Sequence, residues 1–188
     1  GNYDVNRKKI EKCVDEVIDF VILYDSKPIN AVFHSISNGQ TENATDVWGG
    51  EYPYLISVNS VGDKLSPAYH SEVKVGREKF KETMRENKAE LGDKPEKWVE
   101  KITNTDTGMV KEIIIGGKSF KGTEIRKLFE LKSSTFTVKY VDGNFVFTVS
   151  GYGHGVGMSQ YGADYMARQG FKYDEILKHY YVGVEIVA

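Results

Sequence analysis

The chain has 188 residues, enough for one large domain or two small ones with a core of their own. Hydrophobic residues make up 40% and charged residues 28%, the balance of an ordinary folded protein, and a net charge of -2 gives no electrostatic case for nucleic acid or for an anionic membrane surface. The single cysteine, Cys13, excludes an intrachain disulfide and disfavours a cysteine-type zinc site.

In chain order, Asn6 to Val17 carries apolar residues at 10, 13, 14 and 17, which is helical spacing and predicts Cys13 as a small buried hydrophobe. Phe20–Tyr24 reads as a strand and Asp25–Pro28 as a turn, with Ile29–His34 as the hairpin partner. Ser35 to Gly50 is a long polar loop, of the kind that is functional or disordered in a compact domain. A short strand is expected at Tyr54–Val58 and an irregular stretch at Lys64–Ser71. Two helices follow, Arg77–Leu91 with Phe80 and Met84 inward, and Asp93–Ile102 with Trp98 as a core anchor. Met109–Ile115 reads as a strand and Thr123–Leu131 as a helix. Phe136–Tyr140 and Phe145–Val149 form a hairpin across an Asp142-Gly143 turn. The glycine-rich stretch 151–157 then hands over to a helix at Ala163–Gln169. A last helix, Tyr173–Tyr181, has acids in its first turn and bases in its last, matching the helix dipole. Val184–Val187 closes the chain as a strand.

This order predicts an α+β fold of mostly antiparallel strands with peripheral helices, since strands and helices do not alternate regularly enough for a parallel sheet. The expected organisation is a first core part over 1–73, a helical insertion-like lobe over 74–102 and a second core part over 103–188. No run of about 20 apolar residues offers a membrane span. The chain opens on Gly1, so it reads as a region of a longer polypeptide whose anchor, if any, lies elsewhere.

The glycine stretch carries the chemistry. Four glycines alternate with larger residues around His154, where glycine permits positive φ and close approach of another chain. The spacing fails Gly-x-Gly-x-x-Gly, and no Gly-Lys-Ser/Thr follows, so a nucleotide-binding loop is excluded. The run Gly151-Tyr152-Gly153-His154-Gly155-Val156-Gly157-Met158-Ser159-Gln160-Tyr161-Gly162-Ala163 is followed by Met166-Ala167-Arg168-Gln169-Gly170 and by Ile176-Leu177-Lys178-His179-Tyr180-Tyr181 before Gly183. A second block comprises Phe33-His34-Ser35, Ser37, Gly39, Thr41-Glu42-Asn43, Asp46-Val47-Trp48-Gly49-Gly50 and Pro53-Tyr54-Leu55. A third is Gly122-Thr123-Glu124-Ile125-Arg126, leading to Ser134 and Phe136. Together these blocks resemble the stage II sporulation protein D family over most of Phe33–Gly183.

That resemblance implies a peptidoglycan lytic transglycosylase of sporulation and engulfment. In such an enzyme an acid protonates the glycosidic oxygen, and the muramyl C6 hydroxyl attacks C1 of its own ring to give a 1,6-anhydro end. One carboxylic acid kept protonated near neutral pH can suffice, unlike the two carboxylates of ordinary glycoside hydrolysis. The family's catalytic glutamate lies in an N-terminal block with no counterpart in this sequence, so the catalytic residue is not assigned. Glu42 is the one substitute considered, and a solvated or hydrogen-bonded loop carboxylate is its simpler reading. Glu11, Glu16, Glu51 and Glu185 have less support.

The resemblance carries over a glycan-binding wall: His34, Ser35, Ser37, Gly39, Thr41, Glu42, Trp48 and Tyr54 from one block, and Gly153, His154, Gly155, Gly157, Ser159 and Gln160 from the other. The two segments are expected to lie side by side. His34 and His154 are open to two readings, as substrate contacts or as braces between the loops. The implied partners are peptidoglycan strands and other sporulation cell-wall proteins. The implied location is outside the cytoplasm, at the wall between septal or engulfing membranes, with membrane attachment only through an anchor outside this sequence. No cofactor is called for. A metal-assisted hydrolase using His34, His154 and His179 is disfavoured by the absence of His-x-x-x-His and Cys-x-x-Cys spacing. The remaining alternative is a non-catalytic module of the same fold that holds glycan or a partner protein.

Overall fold

The computed structural model describes residues 2–188. In chain order the elements are α1 (Tyr3–Val17), β1 (Val21–Tyr24), β2 (Lys27–Pro28), β3 (Phe33–His34), α2 (Ala44–Trp48), β4 (His70–Gly76), α3 (Arg77–Glu86), β5 (Val99–Asn104), β6 (Val110–Ile115) and β7 (Lys118–Lys121). The chain continues through α4 (Gly122–Leu128), β8 (Phe136–Val141), β9 (Asn144–Ser150), β10 (Met158–Ser159), α5 (Gln160–Arg168), α6 (Tyr173–Tyr180) and β11 (Glu185–Val187). The strands form three small antiparallel sheets, ordered β11-β1-β2, β4-β9-β8 and β5-β6-β7, plus one parallel pair, β10-β3. The fold is α+β with mostly antiparallel pairing.

Two apolar clusters hold it together. One gathers residues between Val75 and Val149 around a stack of aromatics, with Phe80 3.7 Å from Phe145 and 5.2 Å from Phe129 between ring centroids. Trp98 is buried in this cluster, as its apolar neighbours predict. The other joins the two ends of the sequence, with Leu55, Val156, Ile176, Tyr180 and Tyr181 at its centre. Motif-block residues fall in both, with Ile125 and Phe136 in the first and Leu55, Val156 and Tyr180 in the second.

Several elements differ from expectation. The helix that starts at Arg77 stops at Glu86, because Lys88 takes a positive φ of 65° and Glu90 N–H turns to bond Gly116 O at 3.0 Å. The helix expected from Asp93 is a single 3₁₀ turn at Pro95–Lys97, after which Val99–Asn104 runs as β5 against β6. The Phe20–Tyr24 strand has only Lys27–Pro28 as its hairpin partner. Beyond Pro28 the chain leaves that sheet, so that Phe33–His34 can pair with Met158–Ser159. Tyr54–Val58 forms no strand, although Ala44 N–H bonds Leu55 O and Thr41 N–H bonds Val58 O. β4 and β7 were not foreseen. Cys13 is exposed rather than buried, because α1 buries none of its residues.

Candidate functional site

The two motif blocks meet through backbone bonds before any side chain is considered. Ser35 and Ile36 donate to Tyr152 O at 3.1 and 3.0 Å, and Tyr152 N–H returns a bond to Ile36 O at 2.7 Å. Further along, Glu42 N–H donates to Gly155 O at 2.8 Å. β3 and β10 add a parallel pairing that sets Ser159 opposite His34. The glycines make this approach possible. Gly153 has φ of 124°, and a Cβ there would sit 2.6 Å from His34 Cβ. Gly155 has φ of 82°, and its Cβ would sit 2.7 Å from Glu42 Cγ. A larger residue at either position would push the two segments apart.

Beneath the wall lies a polar brace that sequence reasoning missed. Asp63, fully buried in the 3₁₀ turn Val61–Leu65, accepts from Ser37 N–H at 2.9 Å and from the Ser37 hydroxyl at 2.5 Å. Its other oxygen accepts from the Ser159 hydroxyl at 2.7 Å. The Ser159 oxygen in turn accepts from Gly162 N–H at 3.3 Å, which caps the N-terminus of α5. One carboxylate therefore ties both motif blocks to the start of α5. In the sequence it stands alone among small loop residues, with nothing to distinguish it from a solvated turn acid.

Glu42 is also buried. Thr107, from the turn between β5 and β6, donates its hydroxyl to Glu42 Oε2, which links the two apolar clusters through this pair. Burial, with the charge of Asp46 adding to it, raises the Glu42 carboxyl from 4.5 to about 7; the Thr107 and Thr105 hydroxyls pull the other way. His34 is buried with its Nδ1 bonded to Val156 O at 3.1 Å, so Nδ1 carries the proton, and its Nε2 has no hydrogen-bond partner among the described residues. Burial lowers the imidazole from 6.5 to about 4, with His154 adding to the shift, while the Val156 carbonyl and the Asp63 charge oppose it.

His154 is half-buried and lies against two aromatic rings, His34 at 5.7 Å and Trp48 at 5.0 Å between centroids. Its Nδ1 accepts from Val156 N–H at 3.1 Å. Burial, reinforced by the Arg126 charge, lowers its pKa, so it is a neutral imidazole at neutral pH. Trp48 is 46% exposed.

The expected wall residues thus fall into two sets. His34, Ser37, Thr41, Glu42 and Ser159 are buried, and their polar atoms serve chiefly to join the segments; Thr41 Oγ1, for example, accepts from Val58 N–H at 2.9 Å. Trp48, His154, Ser35 and Gln160 keep surface, and Tyr152 joins them as an exposed ring beneath Lys132. Tyr54 packs elsewhere, 5.5 Å from the Tyr24 ring, and its hydroxyl accepts from Asn30 N–H. Gly39 lies under the Lys64 side chain. His179 bonds Asn59 O at 2.7 Å, away from the other histidines' hydrogen-bond partners. Among the described residues no three His, Cys, Asp or Glu side chains group as metal ligands, and no helix is long and apolar enough to cross a membrane.

Fold and site together define an α+β domain in which two glycine- and serine-rich segments are braced around the exposed Trp48 and the half-buried His154. Comparison with known proteins narrows this. A scan against protein-family profiles matches none. Among curated proteins, the chain is 41% identical over 187 residues to stage II sporulation protein D of Bacillus amyloliquefaciens, covering 99% of this chain and 53% of that protein. It is 39% identical over 188 residues to stage II sporulation protein D of Bacillus subtilis (strain 168), covering 98% and 53%. It is 26% identical over 246 residues to a protein named amidase enhancer from Bacillus subtilis (strain 168), covering all of this chain and 34% of that protein. The chain spans about half the length of the stage II sporulation proteins it matches. Over that half, it is of the stage II sporulation protein D type.

Proposed function

We propose that this chain forms the glycan-binding wall of a peptidoglycan lytic transglycosylase that acts at the cell wall during sporulation, outside the cytoplasm. The observation that carries the reading is the exposed Trp48 ring held against His154, 5.0 Å between centroids, on two segments locked together from beneath. An aromatic face beside a neutral imidazole is suited to a pyranose ring and its acetamido group. The similarity to stage II sporulation protein D supports the sporulation role, and the amidase enhancer supports a link to wall remodelling.

Glu42 has the protonation behaviour an acid catalyst needs, because a carboxyl with a pKa of about 7 is still half-protonated at neutral pH. It lacks the access. Glu42 as a residue is 3% exposed and its carboxyl is engaged by Thr107, so we assign it to bracing and look for the acid outside this chain. The same burial favours a second reading, a non-catalytic module of this fold that holds glycan or a partner protein.

Mass spectrometry of purified peptidoglycan after digestion separates these readings. The full-length protein releases products with 1,6-anhydro-muramyl ends, and residues 1–188 alone bind the insoluble wall without releasing them. If the full-length protein releases no anhydro products, the enzymatic reading is wrong. If residues 1–188 release them and a Glu42→Gln variant does not, Glu42 is the acid.

A further inference from the structure

The third motif block, residues 122–136, holds a cation without a partner. Arg126, in the last turn of α4, is half-buried, and burial pulls its pKa down. A guanidinium can donate from every one of its nitrogens. Here Nε donates to Leu131 O at 3.3 Å, and the terminal nitrogens have no hydrogen-bond partner among the described residues. They are absent from the buried, unpaired atoms, so they reach solvent. Withdrawing a cation from water with no counter-ion is costly, which makes an unmatched arginine at this depth a feature to explain.

Lys132 is a second such cation. The turn between α4 and β8 folds onto the glycine stretch: Gly153 N–H donates to Lys132 O at 2.9 Å, and the Ser133 hydroxyl donates to Ser150 O at 2.6 Å. Lys132 is half-buried, with Nζ 5.4 Å from the centroid of the exposed Tyr152 ring. The Arg126 charge reaches the same tyrosine, and also His154. Tyr152 is therefore the neighbour that the two cations share. Among the described residues neither cation forms an ion pair. The acids around them are placed otherwise. Glu124 accepts from Lys121 N–H at 2.6 Å, Glu130 is exposed and pairs with neither cation, and Glu42 is held by Thr107. No carboxylate is among the groups whose charge bears on Arg126.

We propose that Arg126 and Lys132 form an oxyanion-binding subsite at the Tyr152 edge of the glycine stretch, taking a single carboxylate or phosphate group. The planar guanidinium fork matches the spacing of two oxygens on such a group, and the ammonium supplies a second charge without that geometry. The subsite needs no sugar ring and takes a free anion, so it is independent of the Trp48–His154 face. Arginine is the member whose loss matters more, because it gives both charge and paired hydrogen bonds.

NMR titration of the full-length protein tests this with sodium acetate and sodium phosphate as probes, the ionic strength being held constant with sodium chloride. The ring signals of His154 and Tyr152 report binding, each assigned by its loss in His154→Gln or Tyr152→Leu. The wild type is expected to give a saturable shift. Arg126→Gln binds the anion about ten-fold more weakly, the loss of a charge-assisted pair, and Lys132→Gln about three-fold more weakly. Arg126→Lys keeps the charge without the fork and falls between the wild type and Arg126→Gln. Melting curves confirm that each variant is folded, and Arg126→Lys and Lys132→Gln carry the test if Arg126→Gln is not. A response to acetate alone or to phosphate alone keeps the subsite and identifies its source as a carboxylate or a phosphate. No saturable shift with either anion beyond that of chloride overturns the proposal, and so does wild-type affinity in the arginine variants.

Discussion

The Ser159 hydroxyl donates to Asp63 Oδ1 at 2.7 Å across 96 positions of the chain, and the Ser37 hydroxyl meets the other oxygen of the same carboxylate. Each serine belongs to a different motif block, so Asp63 is the point through which the two are fastened. Replacing Asp63 by Asn keeps its volume but turns one acceptor into a donor that faces a donor. The expected cost is about 2–3 kcal/mol, the penalty for leaving buried polar groups unsatisfied. Urea unfolding of Asp63→Asn checks it, and a midpoint equal to that of the wild type would show that the brace carries no stability.

Asp63 also marks what was legible in the sequence and what was not. The juxtaposition of Ser35–Gly50 with Gly151–Gly157 was expected from the family-like polar and glycine residues in both segments, and the close approach at Gly153 and Gly155 gives its steric reason. The hairpin at Asp142-Gly143 was foreseen from its turn residues, with β8 running one residue further at the turn end and β9 one residue further at each end. What stayed hidden depends on distant partners. Val99 and Ile102 lie half-buried on β5 through pairing with β6, and their short spacing before Thr103 reads equally well as the end of a helix. β4 alternates Val73 and Val75 inward with Glu72 and Lys74 outward, so its charged side chains masked a strand. Cys13 was misplaced because an apolar stripe at helical spacing states which residues share a face, and not whether that face is covered.

Glu42 and His34 give opposite pH dependences of stability. Glu42 has a folded pKa raised from 4.5 to about 7, so the folded state binds a proton that the unfolded state has released. Its contribution is fully present below 4.5 and is lost as pH rises to about 7, by up to about 3 kcal/mol. His34 has a folded pKa lowered from 6.5 to about 4, so its contribution is present above 6.5 and is lost as pH falls to about 4. In the wild type the two largely offset each other between these limits. Glu42→Gln removes one of them. Its stability should rise relative to the wild type between pH 4.5 and 7 and stay higher above that. Urea unfolding across a buffer series reads this directly, and parallel curves for the two proteins would mean that Glu42 does not titrate in this window.

Gly157 has φ of 71°, and a Cβ there would run into the Val32 carbonyl, which already accepts Met158 N–H at 3.2 Å. Gly157→Ala therefore suffers both backbone strain and a clash beside the β3–β10 pairing. The expected loss is about 2 kcal/mol or more. Gly117 has a similar φ of 73° with open space around it, and Gly117→Ala serves as the control that bears the strain alone. Thermal unfolding should show the larger drop for Gly157→Ala, and equal drops would assign the effect to φ and not to the approach of the two segments.

α1 presents an apolar stripe to solvent. Ile10 is 63% exposed, Val14 46% and Val17 39%, with Cys13 among them, and nothing in the helix is buried. Two consequences follow for residues 1–188. Val14→Lys should change unfolding free energy by no more than about 0.5 kcal/mol, since it removes no packed contact. Cys13, the only cysteine, should react completely with a thiol reagent in the native protein, at the rate of an accessible thiol. The stripe also joins an exposed surface that includes Ile18, Phe20 and Val21, which favours association at high concentration. Light scattering should therefore show less self-association for Val14→Lys than for the wild type at equal stability. A wild-type Cys13 that reacts only on unfolding, together with a Val14→Lys variant destabilised by several kcal/mol, would mean that α1 is packed in solution and that its exposed face is covered.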